Sequence, residues 1–252
     1  MTNDANVFYY KPGSTFSNIG LLNLLEKQVI DRFTLQKVEL ARGENNEPWY
    51  IQVNSKGLVP VLVHNGKATA ETIDIGQYLD KQFPDHPLHA DDAQVIEKLQ
   101  RWHAIQLKVI ALGPKSADEN TDKRAADLKA ERDSIEKNAQ ANPALAAAYT
   151  ERLNLFDARA QGIMSFERQQ QQTQLWAKLL EDTDNYLADG REYLHGSTFT
   201  LLDLHAVAML YAAQTKWRLE VPADRPHVKS YYERHTQRPA FVKLVQMNTA
   251  AN

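Results

Sequence analysis

The first 83 residues alternate short apolar runs with polar turns, a pattern typical of an α/β domain. The stretch from Ala41 to Pro48 is polar and predicts a loop. The Asn-Gly pair within His64–Lys67 predicts a hairpin turn. The predicted order is therefore β-α-β-(α)-β-β-α. Strands are predicted at 6–10, 33–40, 58–63 and 68–70, and helices at 19–27 and 71–83.

Beyond Pro84–Pro87 the apolar residues recur at helical spacing, and no strand is predicted from residue 91 onward. A stripe from Leu145 to Leu187 predicts a helix opened by Asn142-Pro143. If this helix is continuous to Leu187, it has about 45 residues and a length of roughly 67 Å, with a kink expected near Gly162. We therefore expect two domains, an α/β domain and an all-helical domain with extended helices at about 115–170. Further helical patterns run through Val95, Leu99, Trp102, Gln106 and Val109, and over 225–238 and 239–247.

Thr200 and Asp203 stand three residues apart just before the apolar run Leu204–Tyr211. This spacing is that of a capping box, with Asp in place of the usual Glu or Gln. We expect both side chains to cap the helix, which is a structural role.

The composition excludes several function classes. The net charge is −3, which gives no basic footprint for nucleic acid and no general attraction to anionic lipid. Cysteine is absent, which excludes disulfides, cysteine-bound metal and a thiolate nucleophile and fits a reducing, cytoplasmic location. The N-terminal residues show no signal peptide, and the apolar runs fall short of the roughly 20 residues that span a bilayer. No metal site is predicted.

Two separated motifs resemble those of the glutathione transferase superfamily. The first is Asn54–Leu62 followed by Glu71-Thr72, and the second is Gly196–Asp203. Thr72 and Leu202 depart mildly from the family pattern, which has serine and alanine there. The resemblance implies a thioredoxin-like N-terminal domain over 1–85 and an all-α C-terminal domain over 91–252. It also implies glutathione as co-substrate or cofactor and a homodimer.

The resemblance assigns a glutathione site to the first motif. Family proteins have a cis peptide before the proline that matches Pro60, and the preceding residue pairs its backbone with the cysteinyl part of glutathione. Leu58, Val59 and Pro60 are thus implied to form this segment. Glu71 and Thr72 stand where the family binds the γ-glutamyl end, at a helix N-terminus that also favours a carboxylate.

The residue that activates the thiol is implied to lie in the loop after the first strand, where Ser14, Thr15 and Ser17 are candidates. A hydroxyl that donates a hydrogen bond to sulfur lowers the pKa of the thiol. Ser17 would also gain from the helix dipole, although it fits a helix cap equally well. Tyr9 and Tyr10 are less favoured, because alternating strand residues should fill the core. Without cysteine, the thiol-transferase, dehydroascorbate-reductase and glutathione-lyase mechanisms of the family are excluded.

In the family, the helix after the linker lines the pocket for the second substrate. Here this helix contains Trp102, His103 and Gln106, of which Gln106 interrupts an otherwise apolar stripe. The partner implied is a small hydrophobic electrophile. For a single His or Gln, a packing role is somewhat more common than a functional one.

The leading hypothesis is a glutathione transferase-like enzyme. Glutathione-dependent cis–trans isomerisation of a conjugated double bond, glutathione-dependent ether cleavage and a non-catalytic binding role remain open. The long stretch at 115–170 and the motifs around Asn142-Pro143 and Tyr231–Arg234 resemble the ganglioside-induced differentiation-associated branch. A long insertion here is also similar to that of bacterial β-etherases, and fungal transferases of secondary metabolism are a further possible relation.

Overall fold

A computed structural model describes residues 6–250. In it, the first third of the protein forms a four-stranded sheet with helices packed against it. The strand order is β2-β1-β3-β4, with β1 parallel to β2 and antiparallel to β3, and β3 antiparallel to β4. The first five residues, where the sequence shows no signal peptide, lie outside the described residues. The elements are β1 (Val7–Tyr10), α1 (Thr15–Glu26), β2 (Thr34–Lys37), α2 (Pro48–Val53), β3 (Val61–His64), β4 (Lys67–Ala70) and α3 (Thr72–Gln82).

The predicted hairpin is confirmed, and the neighbouring segments differ in detail. Asn65 and Gly66 both have positive φ, at 52° and 73°, as a two-residue hairpin loop requires. The third strand begins at Val61 and not at Leu58, because the Leu58 carbonyl accepts hydrogen bonds from Tyr50 and Asn54 outside the sheet.

The segment predicted as a polar loop is more ordered than its composition indicates. It contains 3-10 turns at Leu40–Arg42 and Glu44–Asn46 and leads directly into α2. Pro48 occupies the first position of α2, where its missing N–H costs nothing. The helix is anchored because Tyr50 and Ile51 are fully buried.

The rest of the chain is helical, and residues 91–250 contain no strand, as predicted. The helix expected to run from Val95 to Val109 is interrupted at Ala104–Gln106. The helices are α4 (Ala93–His103), α5 (Leu107–Leu112), α6 (Asp122–Ala141), α7 (Ala146–Met164), α8 (Phe166–Leu187), α9 (Leu201–Thr215), α10 (Pro226–His235) and α11 (Pro239–Ala250), with a 3-10 turn at Pro143–Leu145.

The prediction of a continuous helix to Leu187 with a kink near Gly162 is wrong. The helix ends at Met164, and Ser165 adopts an extended backbone with φ −93° and ψ 122°. The Ser165 hydroxyl accepts a hydrogen bond from the Arg168 N–H at 3.1 Å, so it caps α8. A local polar residue thus stops one helix and starts the next, although the apolar spacing continues across the break.

Helices α6 and α7 form a hairpin that packs against the N-terminal sheet domain. Ile135 of α6 and Tyr149 and Phe156 of α7 form one buried cluster with Ile51 of α2. The Tyr149 hydroxyl donates to the Asn46 carbonyl at 2.9 Å. Helix α6 is therefore highly charged but has one apolar stripe, and that stripe packs the hairpin against α2.

Helix α9 lies at the centre of the helical half and is buried along most of its length. It packs against α1 and α4. The predicted capping box is present, since Asp203 accepts from the Thr200 N–H at 2.9 Å. Asp203 also accepts from the Leu194 N–H at 2.7 Å and the Tyr231 hydroxyl at 2.9 Å. These bonds satisfy a carboxyl whose pKa is raised by burial.

Within residues 6–250, no helix combines the length and the hydropathy needed to cross a bilayer.

Candidate functional site

The predicted glutathione-site residues come together at one end of the sheet. Val61 is paired with Tyr9 on one side and with Ala70 on the other, both antiparallel. Two residues before Val61, the same registers place Val59 between the segment that follows β1 and the first residues of α3. Residues 11–14, Val59 and the N-terminus of α3 therefore lie together at one end of the sheet, beside the ends of its two central strands.

Val59 has free backbone groups at this end of the sheet. The Val59–Pro60 peptide is cis, as the motif predicts. Among the described residues, neither the N–H nor the C=O of Val59 has a backbone partner, although its side chain is half-buried. Pro60 is buried close to α1, within 3.2 Å of where a Cβ on Gly20 would lie. An extended ligand could pair with Val59 in the manner of an added strand.

Glu71 and Thr72 mark the start of α3. Glu71 has φ +65°, uncommon for a residue with a side chain, and its carboxylate is 2.8 Å from the ammonium of Lys56. Thr72 is buried, and its hydroxyl oxygen has no hydrogen-bond partner within residues 6–250. An orphaned buried hydroxyl is costly, so Thr72 Oγ1 is a group to which a ligand would bring a partner.

The three candidate hydroxyls lie in different environments. Ser17 is fully buried, and its oxygen accepts a hydrogen bond from the Lys11 N–H at 3.1 Å. Thr15 is also buried, with 8% of its surface exposed. Ser14 is half-exposed at the N-cap of α1, and its side chain makes no capping hydrogen bond. Only Ser14 thus combines a solvent-facing hydroxyl with the positive end of the α1 dipole.

His103 lies opposite this loop and pairs with a second histidine that the sequence analysis did not single out. Its ring is 5.8 Å from that of the exposed Phe16, and its Nε2 is 2.7 Å from Nδ1 of His205. Burial lowers the pKa of both histidines, and for His205 the lowering is large. The signal for His205 was present, because it interrupts an apolar run on α9.

Trp102 and Gln106, the other residues predicted for the substrate pocket, are placed differently. Trp102 is buried in the helical core, with its ring 6.1 Å from that of Trp176. Gln106 is exposed at the corner between α4 and α5, where its N–H donates to Gln172 Oε1 at 2.6 Å. Only His103 and Gln106 thus remain available to a ligand.

Helix α7 forms a further wall. Arg152 is buried and its Nε donates to Asn46 Oδ1 at 2.8 Å, beside Gly57. Two turns later, Arg159 is exposed and close to Glu71: desolvation lowers the pKa of its guanidinium, and the Glu71 carboxylate opposes that shift. Near its end, Gly162 lies beside Gln106. Helix α7 therefore runs from the N-terminal half to the α4–α5 corner, across the space between them.

The residues 6–250 contain no cluster of histidines and carboxylates suited to a metal ion. A cavity of about 710 Å³ lies at the other end of α1, lined by Glu26, His86 and Arg238 among others, and none of the predicted site residues lines it.

The comparison with family models places these features in a known class. The model described as "Glutathione S-transferase, N-terminal domain" matches residues 13–82, and the model described as "Glutathione S-transferase, C-terminal domain" matches residues 155–246. The chain belongs to the glutathione S-transferase superfamily. Members of this family use glutathione.

Individual relatives are distant or match only in part. Glutathione S-transferase 1 of Dianthus caryophyllus is 39% identical over 62 residues, which are 25% of this chain and 28% of that protein. Glutathione S-transferase 2 of Saccharomyces cerevisiae is 21% identical over 98% of this chain and 92% of its own length. The solved structure of the β-etherase LigF from Sphingobium sp. strain SYK-6 superposes with a TM-score of 0.68, at 20% identity, over 98% of this chain and all of that one.

Proposed function

We propose that this protein binds glutathione at the end of the sheet where Val59, Glu71 and Thr72 lie, and that it activates the glutathione thiol for attack on a small electrophile. The observation that best supports the proposal is the set of hydrogen-bonding groups without partners at this end of the sheet. The Val59 backbone and the Thr72 hydroxyl lack partners within residues 6–250, and both lie where the family motif expects the tripeptide.

Each group matches one part of the tripeptide. The Val59 N–H and C=O would pair with the cysteinyl backbone. The Glu71 carboxylate would accept hydrogen bonds from the γ-glutamyl ammonium, and the Thr72 hydroxyl and the α3 N-terminus would donate to its carboxylate. Lys56, which pairs with Glu71, would either share that carboxylate or turn away when ligand binds.

Ser14 is the residue that we propose to activate the thiol. Its hydroxyl would donate a hydrogen bond to the sulfur and, with the N-terminus of α1, would stabilise the thiolate over the thiol. The thiolate is the nucleophile, so a lower thiol pKa raises its concentration at neutral pH. In this arrangement Ser17 and Thr15 support the loop.

The electrophile would enter between the loop and the helical half, against Phe16, His103 and Gln106. Conjugation, isomerisation and ether cleavage all begin with the same thiolate, and the fold shared with a β-etherase keeps the last of these open. A cytoplasmic location and a homodimer complete the proposal, and both come from the composition and the family resemblance.

The test is calorimetric titration of the purified protein with glutathione, repeated on Glu71→Gln and Thr72→Val. The wild type should bind in the micromolar-to-millimolar range typical of enzyme substrates. Each variant should bind roughly tenfold more weakly, because Glu71→Gln removes the negative charge opposite the γ-glutamyl ammonium and Thr72→Val removes the hydroxyl that would donate to the ligand carboxylate.

Glu97→Gln is the matched control, since Glu97 is an exposed carboxylate on α4 outside the site. It should bind as the wild type does. Absence of binding by the folded wild-type protein would refute the proposal.

A further inference from the structure

Helix α11, the last helix within residues 6–250, packs against α1, which begins just after Ser14. Leu244 of α11 is fully buried. At one end of this contact, the guanidinium of Arg238, just before α11, donates two hydrogen bonds to the Glu26 carboxylate, at 2.8 and 2.7 Å. At the other end, Asn248 reaches the start of α1. The two helices are therefore antiparallel and are joined by polar contacts at both ends.

Asn248 connects α11 to the loop that contains Ser14. Its Oδ1 accepts a hydrogen bond from the Gly13 N–H at 3.0 Å, and its Nδ2 donates to Asn18 Oδ1 at 3.1 Å. Because a backbone N–H can only donate, it fixes the orientation of the Asn248 amide, with the oxygen towards Gly13 and the nitrogen towards Asn18. Asn248 is 9% exposed and Asn18 is 1% exposed, so both amides are enclosed by the protein.

Gly13 lies in a tight turn directly before Ser14. The Ser14 N–H donates to the Lys11 carbonyl at 3.1 Å, with Pro12 and Gly13 at the two central positions. Gly13 has φ +69°, and a proline followed by a glycine of positive φ is the pattern of a type II turn. Within residues 6–250, the Gly13 N–H has one hydrogen-bond partner, Asn248.

We propose that Asn248 is a positioning residue for Ser14. By accepting the Gly13 N–H, it holds the turn in the form that directs the Ser14 hydroxyl towards the thiol. Type I and type II turns differ by rotation of the central peptide, here the one between Pro12 and Gly13, and glycine tolerates both. Without the Asn248 oxygen this peptide can rotate, and the Ser14 hydroxyl then loses its fixed direction.

The inference rests on the proposed function, because it concerns the residue that is proposed there to activate glutathione. A hydroxyl stabilises a thiolate only when its O–H points at the sulfur. Loss of that direction therefore raises the pKa of the glutathione thiol. The groups proposed to hold the tripeptide, Val59, Glu71 and Thr72, make no contact with Asn248, so the affinity for glutathione should change little.

The first experiment compares Asn248→Ala with Arg238→Gln, which breaks the contact at the other end of the same helix pair. Rates with glutathione and a chromogenic electrophile are measured across pH. Asn248→Ala should lower kcat about tenfold near neutral pH and shift the pH profile to higher pH, with the KM for glutathione changed by less than about twofold. Arg238→Gln should be less stable in urea but should keep the wild-type pH profile.

A second experiment follows the hydrogen bond itself. Hydrogen exchange of the Gly13 N–H, measured by NMR on protein that contains isotope-labelled glycine, should be at least about tenfold faster in Asn248→Ala and unchanged in Arg238→Gln. Asn248→Asp should keep the slow exchange, because a carboxylate still accepts from the Gly13 N–H and the Asn18 amide can turn to donate to it.

An unchanged pH profile in folded Asn248→Ala would overturn the inference and leave the proposed function intact, whether or not exchange at Gly13 becomes faster. Fast exchange at Gly13 in Asn248→Asp would also overturn it. The same shift of the pH profile in Arg238→Gln would assign the effect to the docking of α11 in general, and the specific role of Asn248 would be wrong. If the wild type shows no glutathione-dependent turnover, the proposed function fails and the inference fails with it.

Discussion

Ser14 and Ser17 lie one turn apart and have opposite surroundings. Ser17 is enclosed and its oxygen is occupied by the Lys11 N–H, while Ser14 is half-exposed with no capping bond. Sequence alone treats them as equivalent, because both are serines near the start of a helix. The difference comes from the direction in which α1 leaves the sheet, since that direction determines which face of its first turn is buried.

Ser14→Ala should reduce turnover of a chromogenic electrophile roughly a hundredfold near neutral pH, because the thiolate loses a hydrogen-bond donor. The pH profile of the rate should shift to higher pH, and the affinity for glutathione should change little. Ser17→Ala should keep the wild-type pH profile and lower the free energy of unfolding by about 1 kcal/mol, because it removes the acceptor of the Lys11 N–H. A shifted pH profile in Ser17→Ala, with none in Ser14→Ala, would reverse the assignment.

At the scale of elements, the contact between α7 and the segment before β3 depends on a glycine. Gly57 has φ +60°, and a Cβ there would lie 2.6 Å from Arg152 Nε and 2.9 Å from the Asn45 carbonyl oxygen. Both the backbone conformation and the lack of space therefore require glycine. Two residues later comes Val59, so the same glycine controls how the glutathione segment approaches α7.

Gly57→Ala should lower the free energy of unfolding by about 2 kcal/mol, the sum of a backbone penalty and the displacement of a buried arginine. Urea denaturation measures this loss, and calorimetry should show weaker glutathione binding in the variant. Gly66→Ala is the matched control. Gly66 also has positive φ, at 73°, but nothing lies within 4 Å of its Cβ position. It should lose only about 1 kcal/mol and bind glutathione normally. Equal effects of the two substitutions would show that the contact with Arg152 is unimportant.

The whole molecule keeps several histidines neutral by burying them. Burial lowers the pKa of His103, His205 and His235 below the ordinary value of 6.5. The unfolded chain therefore binds more protons than the folded chain once the pH falls below that value. The stability gained from neutral buried histidines is present above pH 6.5 and is lost as the pH decreases.

The free energy of unfolding, measured by urea denaturation, should therefore fall between about pH 7 and about pH 5, with up to ~1.4 kcal/mol per pH unit from each group. His205→Gln should flatten this dependence, because it removes the most deeply buried of the three. Met209→Leu, a buried substitution on the same helix without a titratable group, should keep the wild-type slope. A slope that is unchanged in His205→Gln would contradict the assignment.

The sequence predicted features that are set locally or by motif. These include the Asn65-Gly66 hairpin, the cis bond before Pro60, the Thr200–Asp203 capping box and the all-helical region over 91–250. It failed at the break at Ser165, because the apolar spacing continues across it and only a serine capping bond marks it. The contact between His103 and His205 was equally hidden, since the two residues lie 102 positions apart along the chain. Such contacts depend on how helices cross, which periodicity does not specify.

The hairpin of α6 and α7 reduces the conformational entropy that the site loses when a ligand binds. Tyr149 and Asn138 both donate to the Asn46 carbonyl, and Arg152 holds the Asn46 side chain, so the segment that leads to Val59 is fixed by the protein's own helices. A segment that is already ordered loses little conformational entropy when the tripeptide arrives. The site is therefore preorganised. The rate at which glutathione binds should be limited by diffusional encounter and not by slow ordering of the loop.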